Sequence, residues 1–282
     1  GDLKGLTRWG MSMNSQMIQD EEVKKKFEES FKAIDEMELG EIGFGFSLKD
    51  RAASILEAVT LMQATPAEKL RGMMRSMGSY TMDVPGMKQS VELKADAETY
   101  GDLKADLLTI RQELTPPAGL PGPAAEMQKR MHKLMLGEEG MTQRVVVTNG
   151  HVMQVMNGDQ ESVKAAIAAF NDPSADTGSA MQKSRGRLMK NANVVALVDL
   201  ASIALTGIKI ADSIEEVPLN LPADQLRALK VDPSYVGFAL GTGARSVEIK
   251  TEIPAATIKG IMLVFQFVQA AQRGGAAGRG GF

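Results

Sequence analysis

Three short segments recur in the same order along this chain. Residues 66–71 read Pro-Ala-Glu-Lys-Leu-Arg, and residues 222–227 read Pro-Ala-Asp-Gln-Leu-Arg. Ser79-Tyr80 follows the first and Ser234-Tyr235 the second. Ser-Val-Glu-Leu-Lys at 90–94 is then matched by Ser-Val-Glu-Ile-Lys at 246–250, with a slippage of one residue between the copies. Matches kept in order constrain a fold more than any single motif, because each copy should build the same supersecondary unit. The expectation is an internally duplicated α+β chain, a helix/β-hairpin/helix module in tandem, with antiparallel sheet covered by helices on one face.

The matched stretches have a physical reading. Pro66 and Pro222 suit a helix start, where a missing N–H costs nothing, and Leu70 and Leu226 then face a core. Val247, Ile249 and Ile253 alternate with Glu248, Lys250 and Glu252, and Val91, Leu93 and Ala95 alternate with Glu92 and Lys94. Such alternation predicts strands with one buried and one wet face. Gly241-Thr242-Gly243 and Pro85-Gly86 sit where hairpin turns are needed. Tyr100, Leu103, Leu107, Ile110 and Leu114 form a stripe at helical spacing. Residues 254–272 are apolar on most sides, which predicts a largely buried helix.

Upstream, each copy reads as helix, strand, helix. The first has a helix over 15–37, a strand over 42–48 and a helix from a cap at Asp50 through Met62. The second has a helix over 178–190, a strand over 193–198 and a helix from a cap at Asp199 through Ile214. It also carries the clearest hairpin, residues 144–156 around Asn149-Gly150, a pair suited to a type I′ turn. A helix over 159–170 follows, with Val163, Ile167 and Phe170 on one side. The first copy lacks this hairpin, and its counterpart is expected before Gly1. The organisation expected is a first copy over 1–114, a Pro/Gly linker over 115–123, a second copy over 124–272 and a Gly-rich tail over 273–282.

Composition narrows the function classes. A net charge of −3 and a pI near 5.6 argue against nucleic acid as a partner. With no cysteine, the chain has no disulfide, thiolate metal site or cysteine nucleophile. No apolar stretch reaches the ~18 residues of a membrane span.

Candidate chemistry is sparse. The 19 methionines cluster at Met73, Met74 and Met77, at Met127, Met131 and Met135, and at Met153 and Met156 beside His151. Thioethers suit Cu(I), so His151, Met153 and Met156 make a candidate metal site. The competing readings are core filling, or an adaptable Met-lined surface for peptides or lipids. No cofactor motif appears. Asp199 ends an apolar strand and is the carboxylate to watch for catalysis, with Asp50 as its counterpart; each is equally placed to cap a helix.

The hairpin at 145–156 with its Asn-Gly turn, the strand and acid at 194–199 and the strand pair over 236–253 resemble uncharacterised exported bacterial proteins built of repeated hairpin–helix units. Such proteins carry a signal peptide or lipid anchor, so the resemblance implies an extracytoplasmic setting and transfers no catalytic residue. The function expected is a non-enzymatic exported binding or structural module. Its partner would be a protein, an envelope component or an apolar ligand in a groove between the copies. The alternatives are a carboxylate-dependent hydrolase and a Cu(I)-handling protein.

Overall fold

The structure is a computed structural model. It describes residues 21, 24–25, 29, 34, 36–49, 54–84, 86–115, 122–137, 140–172, 179–212, 221–242 and 246–277. The fold is α+β, and the chain divides into two compact units, 1–171 and 172–282.

The first unit is built on an antiparallel sheet of seven strands: β1 (Glu38–Leu48), β2 (Leu56–Thr65), β3 (Tyr80–Val84), β4 (Met87–Tyr100), β5 (Leu103–Leu114), β6 (Met141–Thr148) and β7 (His151–Met156). Their spatial order is β1-β2-β7-β6-β5-β4-β3. After the β1–β2 hairpin, helix α1 (Ala67–Met77) carries the chain to the far edge, and five strands meander back until β7 pairs with β2. Asn149 and Gly150 take φ of 46° and 75°, the left-handed pair that a tight two-residue turn between β6 and β7 requires. Val84 pairs with Met87, and Gly86 takes φ 84° in the turn between β3 and β4. Helix α2 (Gly122–Leu136) lies between β5 and β6 in the chain, and α3 (Gln160–Asn171) follows β7.

Strand alternation gives the sheet two faces, and each has its own core. On one face Val145, Val152 and Ala64 meet Ala67, Leu70 and Met73 of α1, joined by Ile34 and Met37. On the other Tyr100, Ala105, Val146, Met153 and Val155 meet Val163, Ile167 and Phe170 of α3. Helices therefore cover both faces, not one as the sequence suggested. That difference explains two others. Residues 56–65 and 103–114 form central strands where helical spacing had been read, because a strand buried on both sides is apolar at both parities and loses its clean alternation. Of the helix expected over 15–37, residues 21, 24, 25, 29 and 34 are helical, and most of the others lie outside the described residues.

The second unit contains α4 (Ala180–Arg187), β8 (Val194–Val198), α5 (Leu200–Asp212), α6 (Ala223–Ala228), β9 (Val236–Thr242), β10 (Val247–Glu252) and α7 (Ala255–Ala277). The strands form an antiparallel sheet in the order β10-β9-β8. Leu205, Leu221, Leu226 and Val264 form a core among α5, α6 and α7, and Gly260 lets α7 approach Ala201 of α5 closely. Leu70 and Leu226 are both buried, as the repeat implied. Two other expectations fail here. β10 leaves Val247 and Ile249 exposed, and α7 leaves Ile258, Ile261, Met262 and Phe265 exposed along one stripe. The tail expected from residue 273 instead begins as helix, through Ala277.

The duplication is not visible as two equal modules. Both matched segments fold as a proline-started helix followed by a hairpin, α1-β3-β4 and α6-β9-β10. Their neighbours differ: β5 follows one and α7 the other, β2 precedes one and α5 the other. The hairpin assigned to a second copy, β6–β7, is central in the first unit's sheet, between β2 and β5.

Candidate ligand-binding face

The face of the first sheet beneath α1 carries the most distinctive side chains. At one end, α1 is fastened by charge. Asp106 of β5 is 1 % exposed and Arg71 of α1 is 6 % exposed. Arg71 donates from Nε and Nη2 to the two Asp106 oxygens at 2.9 and 2.8 Å, and from Nη2 to Asp96 at 2.9 Å. Arg75, one turn on, donates from Nε and Nη2 to the same carboxylate at 2.8 and 2.5 Å and reaches Asp96 at 2.6 Å. The Asp96 N–H adds a bond of 2.9 Å to Asp106. Asp96 sits at φ 50° in a bulge of β4 between Lys94 and Glu98, which aims it at this cluster. Burial pushes the Asp106 carboxyl up, but the guanidinium bonds and the Asp96 N–H outweigh it and hold it well below the usual carboxylate range. Asp106 and Asp96 face both arginines and Glu68 stands 3.9 Å from Arg71, so the cluster is a clasp, with its charges spent on one another.

The opposite face has a comparable tie. Arg144 of β6 donates from Nε and Nη2 to Glu98 at 2.8 and 3.0 Å and from Nη1 to the Gly158 carbonyl at 2.7 Å. Tyr100 donates its hydroxyl to Glu98. Burial first, and then this bond, push the Tyr100 hydroxyl up to about 12.

At the other end of the α1 face, α2 is held near its C-terminus. Leu134 O accepts from the Ile55 N–H at 2.9 Å, and Met135 O accepts from Ser54 Oγ at 2.9 Å. His132 Nε2 lies 3.2 Å from Gln112 Oε1 of β5. Gln112 and Asp106 lie on the same face six positions apart, about 20 Å along the strand. Between the helices the floor is made by Ile110 of β5, Met141 and Gln143 of β6, Gln154 and Met156 of β7, and Thr60 of β2. All six are half-buried. Gln143 donates to Gln154 at 2.6 Å, and Gln154 donates to the Met74 sulfur at 3.5 Å. Phe44 and Phe46 of β1 extend the floor, mostly exposed, with ring centroids 6.1 Å apart. Apolar side chains with a few placed amides, flanked by two helices, have the chemistry of a site for an apolar ligand.

The residues singled out in the sequence lie elsewhere. Asp199 caps α5: it accepts from the Ser202 N–H at 3.1 Å and the Ser202 hydroxyl at 2.7 Å. Asp50 lies outside the described residues. His151 has Nδ1 2.8 Å from the Asn149 carbonyl and its ring edge-on to Phe170. Met153 shares that face and is fully buried in the α3 core, whereas Met156 points to the α1 face by strand alternation. The two sulfurs do not meet at one point. No group of three His, Asp or Glu able to hold a metal occurs among the described residues.

Sequence reasoning missed the Arg71–Arg75–Asp106 clasp and the amides of the floor. A signal for the clasp was present: Asp106 is a lone acid between apolar neighbours, and Arg71 and Arg75 are one helical turn apart beside buried Leu70. A signal for Gln143 and Gln154 was present too, since the two-residue turn at Asn149-Gly150 fixes the β6–β7 register that brings them together.

No protein-family model, no curated protein sequence and no solved structure matches this chain. No helix among the described residues is long and apolar enough to cross a membrane.

Proposed function

We propose that the first unit is a non-enzymatic binding module that holds an apolar chain, such as a fatty acyl group, on the sheet face between α1 and α2. The observation that carries this reading is the half-buried floor of Thr60, Ile110, Met141, Gln143, Gln154 and Met156, open at the β1 edge through Phe44 and Phe46. Methionine side chains adapt to ligands of varied shape, and the paired amides can satisfy a polar group on an otherwise apolar ligand. From β5 to β1 the floor crosses five strands, about 19 Å, which suits an elongated ligand lying across them. An extracytoplasmic setting belongs to the same proposal and rests on the pattern resemblance of the sequence.

The test is titration with a dansyl-labelled fatty acid. Saturable binding at one equivalent, with a blue-shifted emission, is expected. Thr60→Trp, which fills the floor, should weaken binding at least about tenfold, the loss of one to two apolar groups' worth of contact, without lowering the melting temperature. Absence of saturable binding, or unchanged binding in Thr60→Trp, overturns the reading.

A further inference from the structure

Among the described residues β10 is an edge strand, and its outer backbone groups face no other described strand of its sheet. Natural edge strands are commonly protected by proline, bulges or charge on the exposed side. β10 carries charge on one face only and so presents two ordered rows. Val247 and Ile249, 66 % and 60 % exposed, lie on the face shared with Leu240 and Phe238 of β9 and Val194 and Ala196 of β8. Glu248, Lys250 and Glu252 lie on the other face. The apolar row adjoins a sheet face whose Val194, Ala196 and Phe238 are themselves exposed.

From this pattern we infer that β10 is a self-association edge, which pairs antiparallel with β10 of a second copy about a two-fold axis through Ile249. Residues opposed in an antiparallel ladder share the same hydrogen-bonding parity and the same face, so a strand pairing with itself must centre on a residue. Each centre has a distinct charge pattern. Centring on Glu248 or on Lys250 sets like charges opposite each other, which is unfavourable. Centring on Thr251 opposes Lys250 to Glu252, but Arg187 already holds Glu252 at 2.6 Å, and Pro254, which has no N–H, would face Glu248. Centring on Ile249 sets Glu248 against the partner's Lys250 and Lys250 against the partner's Glu248, with Val247 against the partner's Thr251 and Ile249 against itself. This register alone pairs every opposed charge favourably within the strand and leaves the Arg187–Glu252 bond in place. The result is a six-stranded sheet with a continuous apolar face. β8, at the other edge, has no charged residue with which to set a register. This inference concerns the second unit and stands apart from the ligand reading of the first.

The absence of cysteine gives a clean test. In the full chain, Ile249→Cys places the two thiols on the axis, where opposed Cα atoms are about 4.5–5.5 Å apart, within disulfide reach. Mild oxidation should give a covalent dimer. Lys250→Cys sets the two thiols two residues out of register and should not crosslink efficiently. By light scattering, Glu248→Lys and Lys250→Glu should each weaken dimerisation on the order of tenfold, and the double exchange should restore it. A wild-type chain that stays monomeric at its solubility limit, equal crosslinking at 249 and 250, or a double exchange no better than the single variants overturns the inference.

Discussion

Asp106 is the residue on which the first unit depends most. Its carboxylate accepts from two guanidiniums and a backbone N–H while almost wholly buried, so its removal leaves two cations with only Asp96 and the exposed Glu68. Breaking a buried ionic network from one side costs about 3–5 kcal/mol, and Asp106→Asn should destabilise the first unit by that order in urea unfolding. The pH dependence follows from the depressed carboxyl. Folded Asp106 binds its proton less readily than the unfolded chain does, so in acid the unfolded state carries more protons and stability rises with pH. Its contribution is complete above the ordinary carboxylate value of about 3.9 and is lost as pH falls towards the depressed native value. A series of melting temperatures from neutral pH into acid should therefore fall less steeply for Asp106→Asn than for wild type. Parallel curves would show that Asp106 does not titrate with folding.

At the scale of elements, α1 is the keystone of the topology, because it carries the chain from β2 to the far edge strand β3. Leu70 anchors it at 5 % exposure among Val145, Val152 and Ala64. Leu70→Ala should cost about 2–5 kcal/mol and should raise hydrogen exchange in α1 before α3, which packs on the opposite face. Elements were legible from sequence where a local cause suffices. The Asn149-Gly150 turn and the Asp199 cap of α5 were readable, and the structure bears them out; Asp159 caps α3, where the sequence indicated only the start of a helix. β2 and β5 were not legible as strands. Val59 and Leu61 face α3 while Ala58 and Met62 face the α1 side, so residues 56–65 are apolar at both parities. Only the non-local pairings with β7 and β6 decide their conformation. The same reason hid the candidate floor, whose residues come from five strands and meet through the register of those strands.

At the scale of the whole molecule, the matched segments do not build two equal modules. The paired sequences do encode two helix–hairpin segments, yet one is built into a seven-stranded sheet with helices on both faces and the other into a three-stranded sheet. Each unit has its own core, around Val145 and Val146 in the first and around Leu205 and Val264 in the second. Units with separate cores unfold separately when little couples them. Calorimetry should show two transitions, with Asp106→Asn lowering one of them; a single transition shifted as a whole would contradict this division. The exposed apolar stripes of β10 and α7 belong to the second unit, so its transition should depend on protein concentration if copies associate through it.

The methionines that made the sequence unusual also supply the most direct probe of the ligand face. Methyl NMR of the methionine-labelled chain, titrated with lauric acid, reports at Met74, Met141 and Met156 beside the floor, at Met153 in the opposite core and at Met181, Met189 and Met262 in the second unit. Saturable shifts are expected at Met74, Met141 and Met156, with Met153 and the second-unit methyls unchanged. Shifts confined to the second unit, or none at all, would contradict it.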